Sequence, residues 1–265
     1  MKKKSLLLLL PVACLLSACG EPGDDYKEVD KTTASKKAAN IAAETKKDSF
    51  EIPTKGTLST KVDGKGGKDD EFKKASIEMV IAFDLNVDSP YLYNKLTGAT
   101  AEEGTIENWV YINGDDFVTA SRAGSAKTYT KVTSAEGKEA FTNALKSCNV
   151  DTEGLKKTIT NIIDELTKSV FSVDVAVGKL SYSTHFYTKG EGDLKIVQES
   201  KVEAEGGQMA STDKVVFANY LPVYMYSSQT ISGTSYNGSL VATQKFDWNK
   251  VSKNLPNLNE FTEQQ

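Results

Sequence analysis

The chain reads as an α+β protein in which an antiparallel β-sheet is packed on one face by an N-terminal helix and a central helical pair. Three observations predict this. From Ile77 to Asp88 every odd position is large and apolar and the even ones are mostly small or acidic, the period of a strand with one buried face. Between residues 140 and 170 apolar side chains recur at helical spacing. Successive strand-like segments are joined by short turns rather than helices, which pairs neighbours antiparallel and groups the helices on one side.

The elements follow in order. Residues 19–33 (Gly20-Glu21-Pro22-Gly23-Asp24-Asp25 onward) carry Gly, Pro and acids without an apolar period, the composition of a flexible tether. Ala34 to Lys47 is rich in Ala and Lys, which favour helix. Its thin apolar side (Ala38, Ile41, Ala42) suits a helix lying on something larger. Thr57 to Val62 reads as a strand, linked through the Gly/Lys/Asp stretch Asp63 to Asp70 to the long alternating strand. That strand's expected buried face is Ile77, Met79, Ile81, Phe83, Leu85 and Val87. Trp109–Ile112 and Phe117–Ser121 flank Asn113-Gly114-Asp115-Asp116 as a hairpin, and Tyr129–Val132 adds a short strand. Ala140, Phe141, Ala144, Leu145 and Cys148 form one helical stripe. Leu155, Ile159, Ile162, Ile163, Leu166 and Val170 form the next, with Asp151 or Thr152 available as its N-cap. Strands resume at Leu180–Tyr187, turn at Lys189–Asp193, and continue through Leu194–Val202, Val215–Tyr220 and Val223–Ser228. Tyr236-Asn237-Gly238-Ser239 reads as a two-residue turn leading into Leu240–Phe246, and Asp247–Asn254 as a short helix before Pro256. No Pro- or Ser-rich break divides residues 34–265, which are expected to form a single domain.

The N-terminus sets the compartment. Lys2-Lys3-Lys4 precede an apolar run from Leu6 to Leu16, too short to span a bilayer as a helix. Leu16-Ser17-Ala18-Cys19 then resembles the lipobox of bacterial lipoproteins. The resemblance implies that residues 1–18 are a signal peptide, that Cys19 receives a diacylglycerol, and that the protein sits lipid-anchored on the extracytoplasmic face of a bacterial membrane. Removing residues 1–18 takes three lysines and no acid, leaving 29 basic against 36 acidic side chains, a net charge of −7. Nucleic acid is therefore not an expected partner. Arg122 is the single arginine, so forked recognition of phosphate is not a theme. With Cys14 removed and Cys19 lipidated, Cys148 is left without a disulfide partner, and stability must come from a core.

Catalytic chemistry finds little support. The single histidine, His185, sits mid-strand, with no Gly-x-Ser-x-Gly elbow and no Cys–His pair. One His and one thiol do not make a zinc site, and Cys148 on an apolar stripe is expected to be an inert buried thiol. Asp24-Asp25, Asp69-Asp70-Glu71 and Asp115-Asp116 lack the spacing of a calcium loop and read as solvated turns. Gly64-Lys65-Gly66-Gly67-Lys68 lacks the gap and following helix of a phosphate loop. No carboxylate pair stands out for glycoside hydrolysis. The expectation is a non-enzymatic protein without metal or cofactor. The run Tyr220-Leu221-Pro222-Val223-Tyr224-Met225-Tyr226 does not alternate, and with Phe217, Phe246 and Trp248 it offers more apolar surface than one face of a short strand buries. Core packing accounts for it. The other account is a hydrophobic cavity between sheet and helical pair, faced by Leu155, Ile159, Ile162 and Leu166 and with Tyr220, Tyr224 and Tyr226 at its mouth.

On a lipobox chain this order of elements looks like the LolA-like group, which includes lipoprotein carriers and the lipid-binding surface lipoproteins of the LppX type. The matching pieces are the helix Ala34–Lys47, the Gly-Thr-Leu-Ser-Thr strand at Gly56–Thr60, the alternating strand Ile77–Val87, the helical insertion, and Phe246-Asp247-Trp248 with Leu255-Pro256. The resemblance implies a strongly curved antiparallel sheet wrapped around helices, and a lipid or other hydrophobic molecule as ligand. The alternative is an interaction or structural lipoprotein that contacts protein or glycan through its outer face around a filled core.

Overall fold

The computed structural model describes residues 25–67, 73–86, 88–98, 104–171, 180–204, 206–234 and 236–264. The signal segment, Cys19 and Val87 lie outside them. In chain order the elements are β1 (Lys27–Val29), α1 (Lys31–Lys46), β2 (Lys55–Gly67), β3 (Lys73–Asp84), β4 (Tyr91–Thr97), β5 (Thr105–Asn113), β6 (Asp116–Ala123) and β7 (Ala126–Val132). Then follow α2 (Ser134–Ser147), α3 (Thr152–Phe171), β8 (Leu180–Thr188), β9 (Leu194–Ala204), β10 (Gly207–Ala218), β11 (Leu221–Gly233), β12 (Asn237–Trp248), one turn of 3-10 helix at Leu258–Glu260, and β13 (Thr262–Glu263). The fold is a large, open, curved sheet of 13 strands with the helices against it. Every ladder is antiparallel except the short β13–β7 pair.

The topology is two meanders joined in the middle. Strands β2 to β7 follow one another, as do β8 to β12, and β12 pairs with β2 from Asn237↔Gly67 to Trp248↔Gly56. Since β7 and β8 lie towards opposite flanks, the α2–α3 connection crosses one face of the sheet, here called the inner face. Helix α2 rests on β4 and β6. Helix α3 rests on β11 and lies beside α1, which covers β8 and β9.

Local chemistry explains the boundaries. Asp30 caps α1 by accepting from the Thr33 amide at 2.8 Å. Residues 27–29 pair with β8, so residues 27–33, expected as the end of the tether, are instead β1 and the first turn of α1. Asp151 caps α3 through the Gly154 amide at 3.2 Å, and Asn149 takes the left-handed conformation (φ 54°) that ends the α2 segment. The hairpins β5–β6 and β6–β7 turn through Gly114 (φ 66°) and Gly124 (φ 57°), each at the first central position of a two-residue loop.

Two apolar clusters fill the space under the helices. One joins Ala34, Ala38 and Ile41 of α1 and Ile159, Ile162 and Ile163 of α3 to Phe186, Ile196, Phe217 and Phe246. The other joins Phe141, Leu145 and Leu155 to Ile81, Phe83, Leu92, Val110 and Phe117. A third lies on the opposite face, where Tyr91, Tyr93, Trp109, Tyr111 and Val118 are covered by Val251, Leu258 and Phe261 of the C-terminal tail. The Asn254 carbonyl accepts from Trp109 Nε1 (2.9 Å) and Tyr91 Oη (3.3 Å). The expected helix over Asp247–Asn254 is therefore absent: Asp247 and Trp248 end β12, and the following residues run as a strap whose polar groups serve the rings beneath. Under the same strap the buried Glu107 accepts from Tyr93 Oη at 2.7 Å and pairs with Arg122.

Other readings shift with physical cause. β4 carries no sequence alternation because Tyr91, Leu92 and Tyr93 are all buried, the sheet being covered on both faces there. Asp63 to Gly67, expected as connection, extends β2. Asn237 and Gly238, expected as a turn, sit in the ladder opposite Gly67 and Gly66. The register of the alternating strand holds, yet only its helix-covered part is buried. Phe83 is 0 % and Ile81 8 % exposed, whereas Ile77 is 40 % exposed. Phe83→Ala should therefore cost about 3–5 kcal/mol, and Ile77→Ala, on the same face, within about 0.5 kcal/mol. Urea unfolding of both variants checks this, and equal costs would contradict the packing described.

Candidate functional site

The pleat sends alternate residues to the inner face, and cross-strand pairing lines these positions up in rows. Nearest the helices, Phe186, Ile196, Val215 and Met225 form an apolar row within the core. One step out the row is Thr184, Gln198, Asp213, Ser227, Ala242, Val62 and Ile77. Beyond it run Tyr182, Ser200, Ser211, Gln229, Leu240, Gly64 and Ala75, and after them Val202, Met209, Ile231, Gly238 and Gly66. The core under the helices takes in Ala242 of the first of these rows, with Val62 packed against it, and extends no farther into this distal half.

Exposed apolar surface gathers there. Among the described residues the exposed large hydrophobics are Ile77, Tyr182, Met209, Ile231, Tyr236 and Leu255. All but Leu255 belong to the distal inner face, where Met209 and Ile231 are direct cross-strand neighbours. Tyr236 reaches this face from the β11–β12 loop, its phenol lying over Gly66 and Gly238, and a Cβ at Gly238 would sit 2.9 Å from the ring. The paired glycines thus leave a floor flat enough for an aromatic ring. Together with Gln229, Ile231 and Leu240 they bound a hollow of about 400 Å³. Met209, Ile231 and Tyr236 form one exposed apolar patch of the kind that marks a binding surface, and Ile77 and Tyr182 stand towards the two flanks of the same face.

The polar side of the same face is built from neutral groups around one acid. Ser200 and Ser211 hydroxyls are 2.8 Å apart, and the Gln198 amide donates to Tyr182 Oη. Burial pushes the Asp213 carboxyl above the usual carboxylate range, opposed in part by a hydrogen bond from Ser227. Across the sheet, a second hollow of about 450 Å³ is lined by Asp63, Lys65, Ser76, Ser239 and Val241. Its acid is already satisfied: Asp63 binds Lys61 Nζ at 2.7 Å and Ser76 Oγ at 2.6 Å, which hold its carboxyl below the usual range.

The residues singled out from sequence fall elsewhere. Leu155, Ile159 and Ile162 are buried and packed directly into the two inner clusters, and Leu166 packs half-buried against the first. Tyr220 sits in the β10–β11 turn at φ 67°, its amide donating to the Gly192 carbonyl at 2.9 Å. Tyr224 and Tyr226 cannot line a mouth on the helix side. Their neighbour Met225 points into the inner core, so the pleat turns both rings to the outer face, where Lys214 lies over the Tyr226 ring at 5.3 Å. His185 is exposed, 3.2 Å from Glu28, and Cys148 is half-buried at the end of α2. Sequence reasoning missed Tyr182, Met209, Ile231, Tyr236 and Asp213. Met209 and Ile231 stand as single apolar residues in polar stretches with no period around them, and Asp213 is one acid among many. Among the described residues no three His, Cys, Asp or Glu side chains converge as a metal site, and no helix is long and apolar enough to cross a membrane.

No protein-family model matches this sequence, and no curated protein matches it. Similar solved structures include the ywiB protein from Bacillus subtilis, at 7% identity and a TM-score of 0.19, covering 74% of this chain and 94% of that one. A DUF1329 family protein from Desulfovibrio piger is similar at 8% identity and a TM-score of 0.21, covering 86% of this chain and 97% of that one.

Asp213 yields a testable sign. An acid whose folded pKa is raised binds its proton more readily in the folded state, so stability falls as pH rises through the window just above the ordinary value of 3.8. Asp213→Asn removes that loss. The variant should unfold at higher urea than the parent near pH 7, with the difference closing below about pH 3.8, and an Asn variant weaker at both pH values would refute the assignment.

Proposed function

We propose that this protein is a non-catalytic lipoprotein of the bacterial cell envelope, anchored through lipidated Cys19, that binds or carries a lipid or another hydrophobic molecule on the distal half of its inner sheet face. The observation that carries this reading is the exposed cross-strand pair Met209 and Ile231 with Tyr236 beside it, on the face that also exposes Ile77 and Tyr182. The lipobox-like Leu16-Ser17-Ala18-Cys19 supports the location. The filled helix–sheet interface moves the binding surface out from beneath the helices, since Leu155 and Ile159 are each 1 % exposed.

Magnitudes bear on the ligand. Fully burying a large apolar side chain is worth about 1.5–3 kcal/mol. These residues are already half covered, so roughly 1 kcal/mol each remains to be gained. That sum alone corresponds to about millimolar affinity. A tighter ligand must bring apolar area of its own, as an acyl chain does at about 0.8 kcal/mol per buried CH₂. Met209→Asp and Ile231→Asp should then abolish uptake of a fluorescent fatty acid at unchanged melting temperature, because both positions are exposed. Unchanged uptake in both would reject the site. If lipid is absent from the purified protein by native mass spectrometry and no uptake occurs in the parent, the outer-face interaction protein is the better description.

The anchor has its own test. Cys19→Ala should move the protein from the membrane to the soluble fraction, and retention through a salt wash would show a second attachment.

A further inference from the structure

The distal inner face is chemically divided, and the division specifies the head of the ligand. On β12, β2 and β3 its two middle rows are apolar or small: Val62 and the exposed Ile77 beside the core residue Ala242, then Leu240, Gly64 and Ala75, with the exposed apolar pair Met209 and Ile231 one row farther out on β10 and β11. On β8 to β11 the same two rows are polar: Thr184, Gln198, Asp213 and Ser227, then Tyr182, Ser200, Ser211 and Gln229. The halves share the β11–β12 boundary, where Ser227 faces Ala242 and Gln229 faces Leu240, about 5 Å apart as adjacent strands are.

We infer that the ligand is a glycolipid, its acyl chain lying on the β12–β2–β3 half and the adjoining Met209–Ile231 pair at the distal end, and its sugar on the Gln198–Asp213–Ser227 rows. The inference rests on the reading that this face binds a lipid. Complementarity selects the head. A phosphate needs cationic or clustered N–H donors, and none of the polar-half positions carries Lys or Arg. The lysines of these strands, Lys195, Lys201 and Lys214, alternate onto the opposite face. An ammonium would want several carboxylates, and Asp213 is the single acid among the polar-half positions. Sugar hydroxyls are both donors and acceptors, and match what is present: a carboxyl that accepts or donates with its protonation state, two amides that do both, and hydroxyls that do both. Asp213 accepts from Ser227 and keeps further lone pairs for a ligand. The exposed Tyr182 ring, its hydroxyl held by Gln198, offers an apolar edge beside them.

The test uses the full chain with Cys19→Ser, titrated calorimetrically below micellar concentration with octyl glucoside, an octyl chain on phosphocholine, and free glucose. Octyl glucoside should bind about tenfold more tightly than the phosphocholine probe, and free glucose should give no measurable heat. Asp213→Ala with Gln198→Ala should erase the tenfold preference and leave phosphocholine binding unchanged. Asp213→Asn, expected to fold at least as stably as the parent at neutral pH, provides the same comparison if the double variant unfolds, and should lose at least threefold for the glucoside only. Equal affinity for the two octyl probes, untouched by these variants, overturns the sugar assignment while leaving the lipid reading standing. Glucose binding as tight as octyl glucoside overturns the acyl half. Absence of binding by either octyl probe overturns the lipid reading itself and this inference with it.

Discussion

A mismatch of lengths governs the molecule. Strands such as β2, with 13 residues, span about 43 Å. Above them α1 and α3 lie side by side, and the core they form reaches along the strands only to Ile196, Val215, Met225 and Ala242. The distal ends of β9 to β12 and β2 therefore lie outside the helix-covered core. The topology leaves little choice, because the chain must travel from β7 on one flank to β8 on the other. At 20 residues α3 covers about 30 Å of that crossing. Its apolar stripe is spent on Leu155 at one end, against Phe83, and Leu166 at the other, against the Phe217 cluster. What lies beneath is sealed, and what lies beyond is open.

The two faces of the sheet solve the remaining burial problem differently. On the outer side of β3 to β7 no helix is available, and the C-terminal strap covers Tyr91, Tyr93 and Trp109 instead. A strap without regular structure must place its backbone polar groups one by one. It does so at Asn254, whose carbonyl takes both the Trp109 and Tyr91 donors and whose amide donates to the Tyr91 hydroxyl. Glu107 is tolerated 5 % exposed because Tyr93 and Arg122 both donate to it. The lone arginine is thus used for structure, stacked 5.9 Å from the Trp109 ring centre.

Legibility in the sequence followed this same division. The helix-covered half wrote its pattern plainly. Ile81 and Phe83 alternate with Asp84 and Ala82, the helical stripes are regular, and the Gly114 turn is where composition places it. The α+β class and the antiparallel order could be read directly from these. The distal half could not. Gly207 to Lys214 and Asp63 to Gly67 have the composition of loops, and they are strands because long neighbours supply their hydrogen bonds. Asn237-Gly238 carries the same Asn-Gly turn signal as Asn113-Gly114, and the β12–β2 ladder overrides it. Tyr224 and Tyr226 looked like cavity residues because an unalternating run conceals which face each side chain takes. The pairing of Met225 with Val215 in the core decides it.

Local and global preference therefore disagree in one place, the distal strands, and sequences tend to break their own rules where function requires it. A sheet half built only for stability would place polar residues on an uncovered face and keep large apolar ones beneath the helices. Here Met209 and Ile231 face each other at 43 % and 45 % exposure. The glycines at 64, 66 and 238 weaken strands to keep the floor open, at roughly 0.5–1 kcal/mol each relative to alanine. The sheet edges are capped in part. β1 and β13, short strands from the two ends of the described chain, cap β8 and β7, and the flanking Lys127 and Lys131 discourage further pairing. The largest exposed apolar pair, Met209 and Ile231, is thus kept in the interior of the sheet, away from the edges where it would recruit another strand.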